Sequence, residues 1–171
     1  MTIVRSILAV FVGLVLLSIS ADLVEQVGRS VYPIPSVVER ARIRYAETLE
    51  SHESGIAGAG EVAEARGGLR DAVVEYLGSA PAGALVFVVM SWIIGGFVGA
   101  AVAAFLTPVW RIPTVVVIGV LEAVGIVAMV LEVPHPTWMV VVGLIGAMAA
   151  TVLAGILVDR VATSRNATPP A

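Results

Sequence analysis

Four long apolar runs organise the chain, at residues 6–23, 82–106, 112–131 and 138–158. About 20 apolar residues in a helix cross a hydrocarbon layer of roughly 30 Å, and each run is of that order. The strongest stretch of the first is 7–17. Pro81, Pro108, Pro113, Pro134 and Pro136 mark the ends of the runs, where a missing backbone donor does least harm. The last three runs are joined by a few residues each, so these neighbours are expected to run antiparallel. The pattern predicts an all-α membrane protein. It has one membrane domain of four transmembrane helices in an antiparallel bundle, with a helical extramembrane loop between helices one and two.

The first run has two readings. Arg5, a moderate apolar stretch and the small residues Ser18, Ser20 and Ala21 fit a cleaved signal peptide; the length also fits an anchor, and a retained helix is expected. The loop over 24–80 carries its own signals. Pro33 and Pro35 keep Tyr32 and Ile34 extended. Ser36 followed by Glu39 reads as a capping box opening a helix over 37–49. The Gly- and Ser-rich stretch 51–60 reads as a flexible joint. A second helix is expected over 61–77, closed by Gly78. Such a loop is longer than a connection needs, which favours a docking element over a passive link. Residues 159–171 form the tail, of which 163–171 have no apolar face or helical pattern and are expected to be disordered on their own.

Composition sharpens the class. Of 171 residues, 58% are hydrophobic and 13% charged, with a mean hydropathy of +1.00; a soluble domain carries roughly a quarter charged residues. There is no Cys, which excludes disulfides, iron–sulfur clusters and thiolate zinc. His52 and His135 both lie outside the apolar runs, so no bis-histidine haem is expected in the bilayer, and no cofactor at all. A net charge of −3 gives no basic face for nucleic acid. All ten basic residues are Arg, in keeping with a GC-rich bacterial genome. With four spans, the N-terminus, the 107–111 turn and the tail share one side, holding Arg5, Arg111, Arg160 and Arg165 against Asp159. The turn over 132–136 has no basic residue. The positive-inside rule therefore places both termini in the cytoplasm of a bacterial inner membrane, with Trp110 and Trp138 as interfacial anchors.

Glu122 is the residue with most chemistry in it. It sits mid-span, where an ionisable group costs on the order of 3 kcal/mol to insert; eleven Val, Leu and Ile residues over 115–131 offset this. No basic residue lies at that depth, so the neutral acid is favoured. Gly119 and Gly125, three residues to either side, point to a neighbouring helix at close range. Ser18, Ser91, Trp92 and Thr151 are candidate hydrogen-bond partners, with Ser91 and Thr151 completing the expected intramembrane polar site. One reading is a proton-coupling carboxyl; the other, favoured because a relay needs more than one ionisable group, is a protonated acid hydrogen-bonded between helices.

Small residues form ladders on two runs. Gly95, Gly99 and Ala103 recur every four residues, with Gly96, Ala100 and Ala104 beside them; Gly146, Ala150 and Ala154 do the same in the last run, flanked by Gly143 and Ala147. Such ladders let helix backbones approach in lipid. They serve packing within the bundle, and part of the ladder near Gly95, Gly99 and Ala103 is expected to be spare, meeting a helix of another subunit. Glu132 and His135 in the outer turn, with His52, lack metal-ligand spacing. Gly58 to Gly60 lack the lysine of a phosphate loop.

The turn Pro134, His135, Pro136, Thr137, Trp138 directly before the last run, together with the Tyr-Pro-x-Pro exit at Tyr32–Pro35 and the short Arg-bearing N-terminus, resembles a group of small bacterial four-helix membrane proteins with a Pro-His-Pro-x-Trp turn. The likeness covers most of the chain, although the 36–78 insertion departs from it. It implies the fold and no activity. A mid-membrane glutamate in a four-helix protein is also similar to the small multidrug-resistance transporters, which carry theirs in the first helix and lack so long a loop. The expected function is a non-catalytic integral membrane accessory or structural subunit, not an enzyme. Its partners would be the lipid bilayer and other membrane subunits or further copies of itself. The alternative is a small oligomeric proton-coupled carrier using Glu122.

Overall fold

A computed structural model describes residues 2–107 and 109–167. Its regular elements are six helices: α1 Thr2–Val31, α2 Ser36–Glu53, α3 Ala59–Ser79, α4 Ala82–Leu106, α5 Arg111–Glu132 and α6 Thr137–Ala167. Four of them, α1, α4, α5 and α6, are long and apolar enough to cross a membrane. Large apolar side chains along their outer faces are exposed, Phe11, Val15, Phe105, Val124 and Ile145 among them.

Several boundaries differ from the expected ones, each for a local reason. Helix α1 does not stop near Leu23 but continues to Val31. Two i,i+4 pairs carry it onward: Gln26 donates to Asp22 at 2.7 Å and Arg29 to Glu25 at 3.2 Å. Helix α6 likewise extends past 158 to Ala167, so residues 163–167 of the tail expected to be disordered are helical. There the hydroxyls of Thr163 and Ser164 bond back to the carbonyls of Asp159 and Val161. The rest of the expected tail lies outside the described residues. The capping box at Ser36 does not form. Pro35 is the N-cap of α2, and the Ser36 hydroxyl accepts from Arg40 instead. A carboxylate does close the start of α3, where Glu61 accepts from the Gly58 N–H at 2.9 Å. The joint narrows to 54–58 and turns on Gly55, whose φ of +74° suits glycine. Helix α3 runs one residue past Gly78, and Ala80 is held extended (ψ 139°) by the proline that follows it.

The packing centres on α4. Of its most apolar stretch 44% is buried inside the protein, against 11% for α1. Contacts with α1 run in opposite order along the two helices. Arg5 donates to the Leu106 carbonyl at 2.8 Å, Gly13 meets Gly99, Leu17 meets Gly95, Gly28 meets Phe87 and Tyr32 meets Gly83. At the Gly13–Gly99 crossing a Cβ on Gly99 would stand 2.7 Å from the Gly13 carbonyl oxygen and 2.8 Å from Leu17 Cβ. Glycine is what lets these backbones touch. The Gly95, Gly99 and Ala103 ladder is therefore consumed by α1 of the same chain. The expectation of a spare face for another subunit is corrected, because α1 occupies the space an outside helix would need.

The other faces of α4 carry α5 and α6. Ala100, Ala103 and Ala104 are buried with Val115, Ile118 and Ala154 in one apolar cluster. Leu85, Val89 and Trp92 form a second cluster with Ile126, Met139 and Ala147. Trp92 lies over Gly143 and Ile93 over Gly146. At one end Arg111 pairs with Asp159 at 3.0 Å, fastening the start of α5 to α6. Gly99→Ala should cost about 1–3 kcal/mol by overpacking the α1–α4 crossing, read as a lower unfolding temperature in detergent. Gly125→Ala, where nothing lies within 4 Å, should change stability by less than about 0.5 kcal/mol. Equal effects of the two would contradict this packing.

Candidate functional site

Glu122 projects from the buried face of α5, with Ile118 and Ile126 one turn to either side. Those two isoleucines belong to the two separate apolar clusters, so the carboxyl lies at the seam between them. It is 7% exposed. Room for it comes from α4: a Cβ on Gly96 would fall 2.6 Å from Glu122 Oε1. Any residue larger than glycine at position 96 would displace the acid. The third wall is α6, where Thr151 Oγ1 stands 3.2 Å from Glu122 Oε2 and donates to the Ala147 carbonyl at 2.8 Å. A hydroxyl has one proton. Thr151 can satisfy both neighbours at once only if the carboxyl is protonated and donates to it. Glu122 Oε1 is buried without a partner among the described residues, an arrangement more tolerable for a neutral acid than for a carboxylate.

The structure sorts the expected partners. Thr151 joins Glu122; Ser18, Ser91 and Trp92 do not. Ser18 bonds back to the Leu14 carbonyl, and Trp92 packs on Gly143 with its ring 6.2 Å from that of His135. Ser91 is five residues before Gly96, about 140° around α4, and so turns toward α1. There it donates to the Val88 carbonyl at 2.7 Å and lies 3.4 Å from Glu25 Oε1. Of the two flanking glycines only Gly119 approaches a neighbour, with a Cβ there 3.2 Å from Thr151 Cγ2; Gly125 faces open space. Steps of three residues in opposite directions rotate about 60° to opposite sides of Glu122, so one inter-helix groove accommodates only one of them.

Glu25 escaped the sequence reading because the apolar run ends before it. The signal was the spacing of Asp22, Glu25, Gln26 and Arg29, which is helical and continues the apolar positions Val24, Val27 and Val31. In the last helix Gly146 meets Ile93, Ala154 is fully buried and Ala150 is half-buried, so that ladder too packs mainly within the chain.

The turn between α5 and α6 is a fastening point. Glu132 forms an ion pair with Arg66, and its carbonyl accepts from Arg70 Nε at 2.8 Å; both arginines belong to α3. His135 Nδ1 lies 2.5 Å from the Val133 carbonyl oxygen, within a turn stiffened by two prolines. Trp138 is 44% exposed at the start of α6. Among the described residues no three His, Asp or Glu gather as a metal site would require. Comparison with protein-family models, curated proteins and solved structures finds no match.

The chemistry available here is one buried carboxyl held between three helices. Glu122→Gln should keep its shape and leave stability nearly unchanged, whereas Glu122→Leu should cost about 1 kcal/mol, as interhelical hydrogen bonds in membranes do. A double-mutant cycle with Thr151→Val should give a coupling of about 0.6 kcal/mol or more; a coupling of zero would remove the bond from the account.

Proposed function

We propose that this is a bacterial inner-membrane protein that works as a non-catalytic accessory or structural subunit, with the α2–α3 hairpin as its docking element. In this reading the four apolar helices cross the bilayer as an antiparallel bundle, and both termini are cytoplasmic. The opposite order of contacts along α1 and α4, and the gathering of Arg5, Leu106, Arg111 and Asp159 at one end, support that topology. The likeness to small bacterial four-helix proteins, carried by the Pro134–Trp138 turn, fits it.

One observation carries the functional part: the hairpin is fastened to the bundle yet left open. Arg66 and Arg70 tie α3 to Glu132 at the end of α5, while only Val38 of α2 and Ala65 of α3 are buried. The small-residue faces of the bundle are meanwhile largely used by its own helices. A partner would meet the charged outer surface of the hairpin, and lipid would cover the apolar helices.

A second reading, the small proton-coupled carrier, is favoured by the unpartnered Oε1 of Glu122. It would be supported by a Glu122→Gln variant that assembles normally and loses a proton-linked activity. For the subunit reading, native electrophoresis with light scattering after mild extraction should give a particle larger than one chain. Removing residues 36–79 should reduce it to a monomer that still inserts. Migration of the intact protein as a monomer would contradict the proposal.

A further inference from the structure

The cleft beside the turn between α5 and α6 has a composition unlike the rest of the surface. About 480 Å³ in volume, it is walled by Arg29 of α1, Arg42 of α2, and Arg66 and Arg70 of α3, four of the ten arginines in the chain. Helical spacing brings them together. Val38, Arg42 and Tyr45 share one face of α2, and Arg66, Leu69, Arg70 and Val73 one face of α3. Residues 24–80 contain nine acidic side chains, and none of these lines the cleft. The single carboxylate in its wall, Glu132, comes from α5 and is engaged by Arg66. Arg29 is paired with Glu25. Arg42 and Arg70 form no ion pair among the described residues. A segment with a net negative charge has thus turned a net positive concavity inward.

We propose that this cleft binds the phosphate of an anionic lipid headgroup. Guanidinium forks match phosphate oxygens in charge and geometry, and the two arginines without carboxylates are the donors left to make that match. The remaining lining, Tyr45 apart, is apolar, with Ile34, Val38, Leu69, Val73 and Val133, which suits the glycerol and upper acyl chain and would be wasted on a free ion. The position agrees as well. Glu132 and Val133 sit where the apolar α5 ends, the level at which headgroups lie when that helix crosses a bilayer. The inference requires only that the apolar helices sit in lipid, and it is independent of any protein partner. A bound headgroup would bridge α1, α2 and α3 and fix the hairpin against the membrane.

The test uses the full-length protein in detergent, titrated with phosphatidylglycerol or phosphatidylcholine, with bound lipid counted by native mass spectrometry. Phosphatidylglycerol should be retained more strongly. Arg42→Gln should weaken that preference about fivefold, the effect of one basic residue near an anionic headgroup. Arg70→Gln should do the same, although it also loosens α3. Arg42 makes no hydrogen bond or ion pair among the described residues, so its variant separates binding from folding. Arg40→Gln, on α2 and outside the cleft, makes the same change in net charge and should leave retention unaltered. Equal retention of the two lipids, or equal losses from Arg40→Gln and Arg42→Gln, would overturn the proposal. So would displacement of phosphatidylglycerol by an equal concentration of inorganic phosphate, which would make a free anion the ligand.

Discussion

Three helices reach their places by lying against α4, and over the stretch from Gly95 to Ala104 they come closest because α4 presents small residues there. In lipid, apolar helices gain nothing from excluding water, so association depends on close van der Waals contact and a few hydrogen bonds. Gly95 and Gly99 admit α1 to backbone distance, Gly96 admits the Glu122 carboxyl, and Ala100, Ala103 and Ala104 are fully covered. A helix with larger residues at these positions would hold its neighbours apart and leave the acid no room.

That arrangement also explains how a mid-helix carboxyl is tolerated. Glu122 does not interrupt a continuous apolar core; it lies at the junction of two clusters, opposite a glycine and beside a threonine. The one-proton limit of Thr151 suits a neutral acid at Oε2, while Oε1 stays buried without a partner among the described residues. The charged residues lie toward the ends. Arg111 with Asp159 closes one, and Glu132 with Arg66 and Arg70 joins the other to the α2–α3 hairpin.

Apolar run length was enough to find the four long helices, since a stretch of about 20 apolar residues has few other readings. The ends were less legible. Asp22, Glu25 and Arg29 look like the start of a loop by hydropathy, yet their i,i+4 spacing continues α1. The polar site was half legible. Thr151 and Glu122 have matching depths on consecutive helices, so counting residues sufficed. The exclusion of Ser91 and Gly125 depends on rotation about each helix, which depth alone does not give. The ladders announced close packing without naming their partner, and α1 was hard to foresee because Leu17 interrupts its matching row of Ala9, Gly13 and Ala21. Nothing in the sequence linked Arg66 and Arg70 to Glu132, some sixty residues away, because that contact exists only once the hairpin folds back.

The central claim is that α1 of the same chain fills the glycine face of α4. The protein has no cysteine of its own, so an introduced pair reports without background. A Cβ on Gly95 would stand 3.3 Å from Ala21 Cβ, close to the roughly 3.5–4.5 Å of a disulfide. Ala21→Cys combined with Gly95→Cys, oxidised in native membranes, should form a crosslink within one chain. The two fragments should then stay joined after cleavage at an engineered protease site in the 54–58 joint. Fragments that separate, or a crosslinked dimer in their place, would contradict the account.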